Sequence, residues 1–340
     1  MSLIEALGAT VLMYVIIYAI LSLGLNLQYG TTGIVNFTYY TFVAIGAYFA
    51  GVTAMGAPPP GSGEAYILGW SLPFPIPLII GGLMAGVAGG LLALIAFRRL
   101  RSDYLAIVTL SAGTVVFDIV NNATNLFNGS DGIYGVPAPW VQTFGLPPQD
   151  SYLVLIPIGL VVLAICWLIV HLIDGSPYGR TLRAIRDNRD VAEAFGKNAF
   201  RHQMGAMILG CVFAGLGGAL TVEFVGALDP GGWTTVETFI VWAAVILGGA
   251  GSNIGVVLGA LIVQGVIIQG TLFLPAFGGE ALVPALRNIA IGVLVIVVMY
   301  FRPQGLIPER RHRYDRLFGR PGGMAPPTPP TQPGDGEAVS

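Results

Sequence analysis

Long apolar runs without charge, separated by short polar intervals, set the pattern of this chain. From Ala6 to Gly63 there is no Asp, Glu, Lys or Arg, and from Thr238 to Gly279 there is none either. A helix in a soluble core needs one apolar stripe, whereas a bilayer span needs about 20 mostly apolar residues in succession. The runs predict nine spans, at roughly 8–28, 33–55, 76–97, 104–120, 152–173, 203–225, 235–250, 254–274 and 286–301. The seventh is short and ends in Gly248-Gly249-Ala250-Gly251, which predicts a broken or re-entrant helix. The expected fold is all-α, a polytopic helical membrane bundle over 1–307 followed by a tail over 308–340.

Composition agrees. Hydrophobic residues make up 54% and charged residues 10%, against about 25% charged in a soluble domain. The 48 glycines match the enrichment of small residues in membrane helices. Met1 to Leu7 has no Lys or Arg, so the first run is expected to be a retained span and not a signal peptide. Cys166 and Cys211 lie in apolar runs and predict neither a disulfide framework nor a metal site.

Charge distribution carries more than net charge. Fifteen of the sixteen basic residues fall in three clusters, Arg98 to Arg101, Arg180 to Arg201 and Arg302 to Arg320, which nine spans place on one side. By the positive-inside rule that side is the cytoplasm, with the N-terminus expected outside and the C-terminus inside. Arg287 is the exception, expected to snorkel from the outer end of the last span. Glu223 and Glu237 flank an outer loop and are expected at the interface. Arg310 to Arg320 follows a span directly, so it can attract anionic lipid or act as a plain stop signal. The Pro- and Gly-rich remainder cannot bury a core and is expected to be disordered.

The middle basic cluster is the densest feature. Six basic residues lie between Arg180 and Arg201, with Asp187, Asp190 and Glu193 among them and apolar runs on both sides. A short amphipathic segment with Ile185, Val191 and Phe195 as its apolar face reads as a docking surface for something in the cytosol.

Two glycine breaks interrupt the spans. Gly30-Thr31-Thr32-Gly33 precedes Asn36, Thr38, Tyr39 and Tyr40, and Gly248 to Gly251 precedes Ser252 and Asn253. Unwound backbone at membrane depth is tolerated where it is buried in protein or lines a cavity. Ala206, Gly210, Ala214 and Gly218 recur at a spacing of four, a face for close helix packing. In the fourth span Ser111, Thr114 and Asp118 share a face that either lines a polar path or bonds a neighbouring helix. A candidate polar pathway is drawn through Asn36, Tyr39, Thr109, Ser111, Thr114, Asp118, Gly249, Gly251 and Ser252. No catalytic pairing, His-Glu metal motif or phosphate-binding loop is present, so the chain is not expected to be an enzyme, to hold a cofactor or to bind ATP itself.

Several stretches together resemble the permease subunits of branched-chain amino acid ABC importers, over roughly residues 20 to 307. They are Leu23-Gly24-Leu25-Asn26-Leu27 with Gly30, Leu105 to Leu110, Asn121-Asn122 with Gly129-Ser130-Asp131-Gly132, Ser176 to Arg180 with Arg183 to Asn188, Leu247 to Ser252, and Phe301-Arg302-Pro303-Gln304-Gly305-Leu306. Their order is most similar to the LivM branch, although Gly33-Ile34-Val35-Asn36-Phe37-Thr38 reads like the LivH branch. The resemblance implies a second homologous permease, two ATPase subunits that bind ATP, an extracytoplasmic binding protein docking chiefly on 121–151, and the membrane lipid of a bacterial plasma membrane as surroundings; nucleic acid is not expected. It implies ATP-driven import of a branched-chain or other apolar amino acid, with urea or short amides as the alternative cargo of close relatives. An ion-coupled secondary transporter is the rival class, for which Asp118 is the sole mid-membrane carboxylate that qualifies. The resemblance also implies an ATPase-coupling segment over 176–201, carried by Tyr178, Gly179, Arg180, Arg183, Ala184, Arg186, Asp187, Glu193, Ala194 and Gly196.

Overall fold

The structure, a computed structural model, describes residues 3–58, 64–99, 102–138, 151–273 and 282–309. The basic stretch Arg310 to Arg320, the tail to Ser340, and part of the expected docking loop at 121–151 lie outside the described residues.

Each predicted run is helical. The long elements are α1 (Leu3–Asn26, continued as a π-helix over Leu27–Thr31), α2 (Tyr39–Ala54), α3 (Ile76–Arg99) and α4 (Ser102–Asn122). The short α5 (Thr124–Phe127) precedes α6 (Tyr152–Gly175). The charged island forms two short helices, α7 (Pro177–Asp187) and α8 (Arg189–Ala194). Then come α9 (Ala199–Val225), α10 (Thr235–Gly248), α11 (Asn253–Ala260, continued as a π-helix over Leu261–Ile268) and α12 (Leu282–Phe301). Seven helices among the described residues are long and apolar enough to cross a membrane, and α4 bent by 80° into α5 makes an eighth. At 16 residues α2 is shorter than the run predicted it, because Gly33 to Asn36 is not helical. Gly33 has a φ of +77°, and the Asn36 Oδ1 accepts the Thr38 N–H at 3.0 Å, which ends the preceding turn.

α9 is the axis of the bundle and packs against α1, α2 and α3. Its small residues permit this. A Cβ on Gly218 would sit 2.0 Å from the Val43 carbonyl oxygen, and one on Gly46 would sit 2.3 Å from the Gly215 Cα. Backbones this close gain dispersion contact along their length, which is what holds membrane helices together when lipid is as apolar as the core. The periphery is different. On α12 only Ile291 is buried, while Ile289, Val293, Ile296 and Met299 face outward, as on a surface meeting lipid or another subunit.

The connections sort into two ends, as an alternating bundle requires. At one end β1 (Ile133–Tyr134) pairs antiparallel with β2 (Ala227–Leu228), and bridges join Gly56 to Trp70 and Tyr66 to Phe127. The other end gathers the Leu27–Asn36 break, α7, α8, the turn from α10 to α11, and the segment after α12. Where a broken or re-entrant helix was expected after 235–250, Gly249 to Ser252 interrupts the helical run as the tight turn between α10 and α11. Glu223, expected beside an outer loop, is 3% exposed and packed inside the bundle, with its Oε2 lacking a hydrogen-bond partner among the described residues. Arg287, in the first turns of α12, lines a cavity with its Nε buried.

Candidate functional site

The charged island folds as a helix–turn–helix for local reasons. Ser176 caps α7, its Oγ accepting the Gly179 N–H at 3.2 Å, and Pro177 occupies the first turn, where its missing N–H costs nothing. Asn188 ends α7 in extended backbone and caps α8 through Oδ1, which accepts the Val191 N–H at 3.1 Å. Arg189 and Glu193, one turn apart, pair at 3.0 Å. Gly179 is required by space, since a Cβ there would sit 2.2 Å from the Ile173 carbonyl oxygen. Tyr178 stacks on His202 and donates its hydroxyl to the His202 carbonyl at 2.9 Å. Burial raises the Tyr178 phenol above its ordinary range, so it remains a donor at neutral pH.

One face of this unit is pinned to the bundle. Leu182, Ile185 and Ala192 are buried. Arg183 donates to the Asp174 carbonyl at 2.9 Å and faces its carboxylate at 3.6 Å. Arg186 donates to the Gly30 carbonyl and pairs with Glu309 at 3.0 Å. The second break joins the same cluster. Gly251 N–H donates to Asn26 Oδ1 at 2.7 Å, Asn26 Nδ2 donates to Asn253 Oδ1 at 3.1 Å, and Asn253 Nδ2 donates to Asp174 Oδ2 at 2.5 Å. The chain after α12 closes over the turn, with Leu306 and Ile307 N–H donating to the carbonyls of Leu247 and Gly248. Gly249 has a φ of +109°, and a Cβ there would sit 2.4 Å from the Ile307 carbonyl oxygen. Both glycine breaks and the charged island therefore form one connected network at one end of the molecule.

The opposite face is open. Arg180, Ala184, Asp187, Glu193, Ala194 and Gly196 are exposed, with Val191 beside them and Phe195 80% exposed at the tip. The expected apolar face is corrected at Ile185, which faces inward; Val191 and Phe195 alone remain outside. A bare aromatic ring within a charged rim is a surface suited to a protein partner. The residues expected to couple to an ATPase thus divide into pins (Tyr178, Gly179, Arg183, Arg186) and a presented face.

Residues assigned to a pathway fall in three places. Asn36, Tyr39 and Thr109 are fully buried around the first break. Their polar atoms are used internally: Asn36 Nδ2 to Gln28 Oε1 at 3.0 Å, Tyr39 hydroxyl to the Gly210 carbonyl at 3.2 Å, and Phe37 N–H to Thr109 Oγ1 at 3.3 Å. Ser111, Thr114 and Asp118 lie on the outward face of α4, the two hydroxyls donating to carbonyls one turn back. Gly249, Gly251 and Ser252 belong to the charged end. Sequence reasoning missed Asp174, Asn253 and Glu309 as members of that network. Asn26 was visible inside a quoted motif, but its partners lie more than 200 positions away, beyond any local pattern.

Similarity to known proteins covers nearly all of the bundle. A family profile described as "Branched-chain amino acid transport system / permease component" matches residues 8–299. The high-affinity branched-chain amino acid transport system permease protein LivM of Escherichia coli K12 is 30% identical over 315 residues, covering 87% of this chain and 68% of that protein. A probable LivM of Methanocaldococcus jannaschii is 28% identical, covering 88% and 93%. LivH of Salmonella typhimurium is more distant at 24%, covering 85% and 91%. No solved structure matches.

Proposed function

We propose that this chain, which belongs to the permease family of branched-chain amino acid transport systems and lies nearer its LivM than its LivH members, is one membrane subunit of an ATP-driven importer. Its cargo is a branched-chain or other apolar amino acid. That cargo ranks ahead of urea and short amides because the similar proteins are named for branched-chain amino acids. A second homologous permease, two ATPase subunits and an extracytoplasmic binding protein complete the assembly. The N-terminus lies outside and the charged end faces the cytoplasm.

The observation that carries the reading is the bipolar geometry of α7 and α8. Phe195 and Val191 stand exposed on one face, while Arg183 and Arg186 on the other are tied to both glycine breaks. When the ATPases close on ATP, a displacement of the presented face is carried by Arg186 to the end of α1 and, through Glu309, to the α10–α11 turn. The spans on either side of those breaks then shift between outward and inward access. The test is uptake of radiolabelled leucine and urea by cells expressing the chain with its partner subunits, with and without ATP depletion. ATP-dependent leucine uptake is expected. Urea uptake in its place would change the cargo, and uptake driven by an ion gradient without partners would refute the assignment.

A further inference from the structure

The end of the bundle opposite the charged island holds a cavity of about 470 Å³, with charged and polar side chains in its wall, that the coupling network does not use. It lies between α1, the first turns of α2 and α10, the 225–233 connection, the end of the α11 π-helix and the start of α12. Its size falls in the range of small-molecule sites, roughly 300–1,000 Å³. Two opposite charges share its wall, Glu237 from α10 and Arg287 from α12, and no ion pair joins them among the described residues.

The groups around these charges are arranged for a ligand. Tyr18, itself 5% exposed, donates its hydroxyl to Glu237 Oε2 at 2.7 Å and so fixes that carboxylate. Gln264 is 3% exposed, lines the cavity, and has an Oε1 with no hydrogen-bond partner among the described residues. The Arg287 Nε is likewise buried without a partner among the described residues. Asp229, the other carboxylate of the wall, is engaged locally by the Gly231 N–H at 3.0 Å. Buried polar atoms left unsatisfied cost stability, and ionisable side chains of spanning helices that face a cavity mark a functional position.

We propose that this cavity is where the transporter receives the charged head of its substrate, the Arg287 guanidinium taking the carboxylate and Glu237 with the Gln264 Oε1 taking the ammonium. The inference rests on the permease reading above and adds the site to it. A second cavity of about 540 Å³ shares Ile240 with the first and is lined by Val236, Phe37, Phe239 and Trp242. It offers an aliphatic side chain an apolar, aromatic wall next to the charged one. A zwitterionic phospholipid headgroup presents the same pair of charges, so the test separates the two sources.

The test uses the complete transporter with its binding protein in vesicles of phosphatidylglycerol and cardiolipin, which carry no zwitterionic headgroup, and radiolabelled leucine as the probe. Glu237→Gln and Arg287→Gln are each expected to lower leucine uptake at least tenfold. Binding-protein-stimulated ATP hydrolysis is expected to stay within twofold of the unaltered complex, and Glu237→Asp and Arg287→Lys to recover part of the uptake. Unchanged uptake by either charge-neutralised variant would overturn the proposal. If those variants fail to assemble, Tyr18→Phe and Gln264→Leu, which keep both charges, decide it: reduced uptake supports the site and unchanged uptake overturns it. Losses seen only when phosphatidylethanolamine is added would assign the cavity to lipid and overturn the amino acid assignment. No ATP-dependent leucine uptake by the unaltered complex would sink the permease reading and this proposal with it.

Discussion

Arg186 and Glu309 form an ion pair at 3.0 Å that ties the charged island to the segment closing over the α10–α11 turn. The same guanidinium donates to the Gly30 carbonyl, so one side chain holds both glycine breaks. Each carboxylate or guanidinium is about a quarter exposed, which limits the pair's contribution to stability. Its position in a relay, and not its strength, is what gives it consequence. Glu309→Gln is expected to lower ATP-dependent uptake about fivefold, because Arg186 keeps its bond to Gly30. Arg186→Glu is expected to abolish uptake, since it removes that bond and repels Glu309. Membrane insertion, checked by fractionation, should survive both. Normal uptake by Arg186→Glu would refute the relay.

Phe195 predicts the reverse separation. At 80% exposure it makes little contact within this chain, so Phe195→Ala should leave thermal stability in detergent unchanged. An exposed aromatic that anchors a partner contributes at least about 2 kcal/mol when it is a hot spot, so recovery of the ATPase subunits by co-purification should fall at least tenfold. Retention of those subunits at the unaltered level would remove Phe195 from the interface.

Two glycines distinguish packing from composition. Gly218→Ala would place a methyl group 2.0 Å from the Val43 carbonyl oxygen at the axis of the bundle. A loss of about 1–3 kcal/mol is expected, read as a lower unfolding temperature. Gly292→Ala, with nothing within 4 Å of its Cβ, should be neutral or slightly stabilising. Equal behaviour of the two variants would contradict the close approach of α2 and α9.

Orientation is measurable with single cysteines, because Cys166 and Cys211 are both fully buried and should react slowly. Phe195→Cys is expected to label only from the cytoplasmic side and Tyr134→Cys, 58% exposed in the native residue, only from outside. The opposite result would invert the topology.

Much of this was legible in the order of residues. The bilayer imposes length and apolarity on any span, so nine apolar runs became helices at nearly the predicted places. The Ser176-Pro177 and Asn188 caps are local signals, and they delimit α7 and α8. The family motifs, which describe nearly the whole bundle, agree with the profile that matches residues 8–299.

The tertiary structure alone decided which residues meet. A glycine run reads the same whether it breaks a helix in mid-membrane or turns one at its end, and the α10–α11 hairpin became evident only through its contacts. Ile185 looked like part of an outward apolar face because helical periodicity gives a stripe without saying which side the bundle occupies. Glu237 and Arg287 lie on helices separated in sequence, and no local pattern brings them to one cavity. Composition and spacing are set by the solvent around each segment, whereas partners are set by which helices pack. In a membrane that packing is chosen by close backbone fit and polar satisfaction over the entire chain.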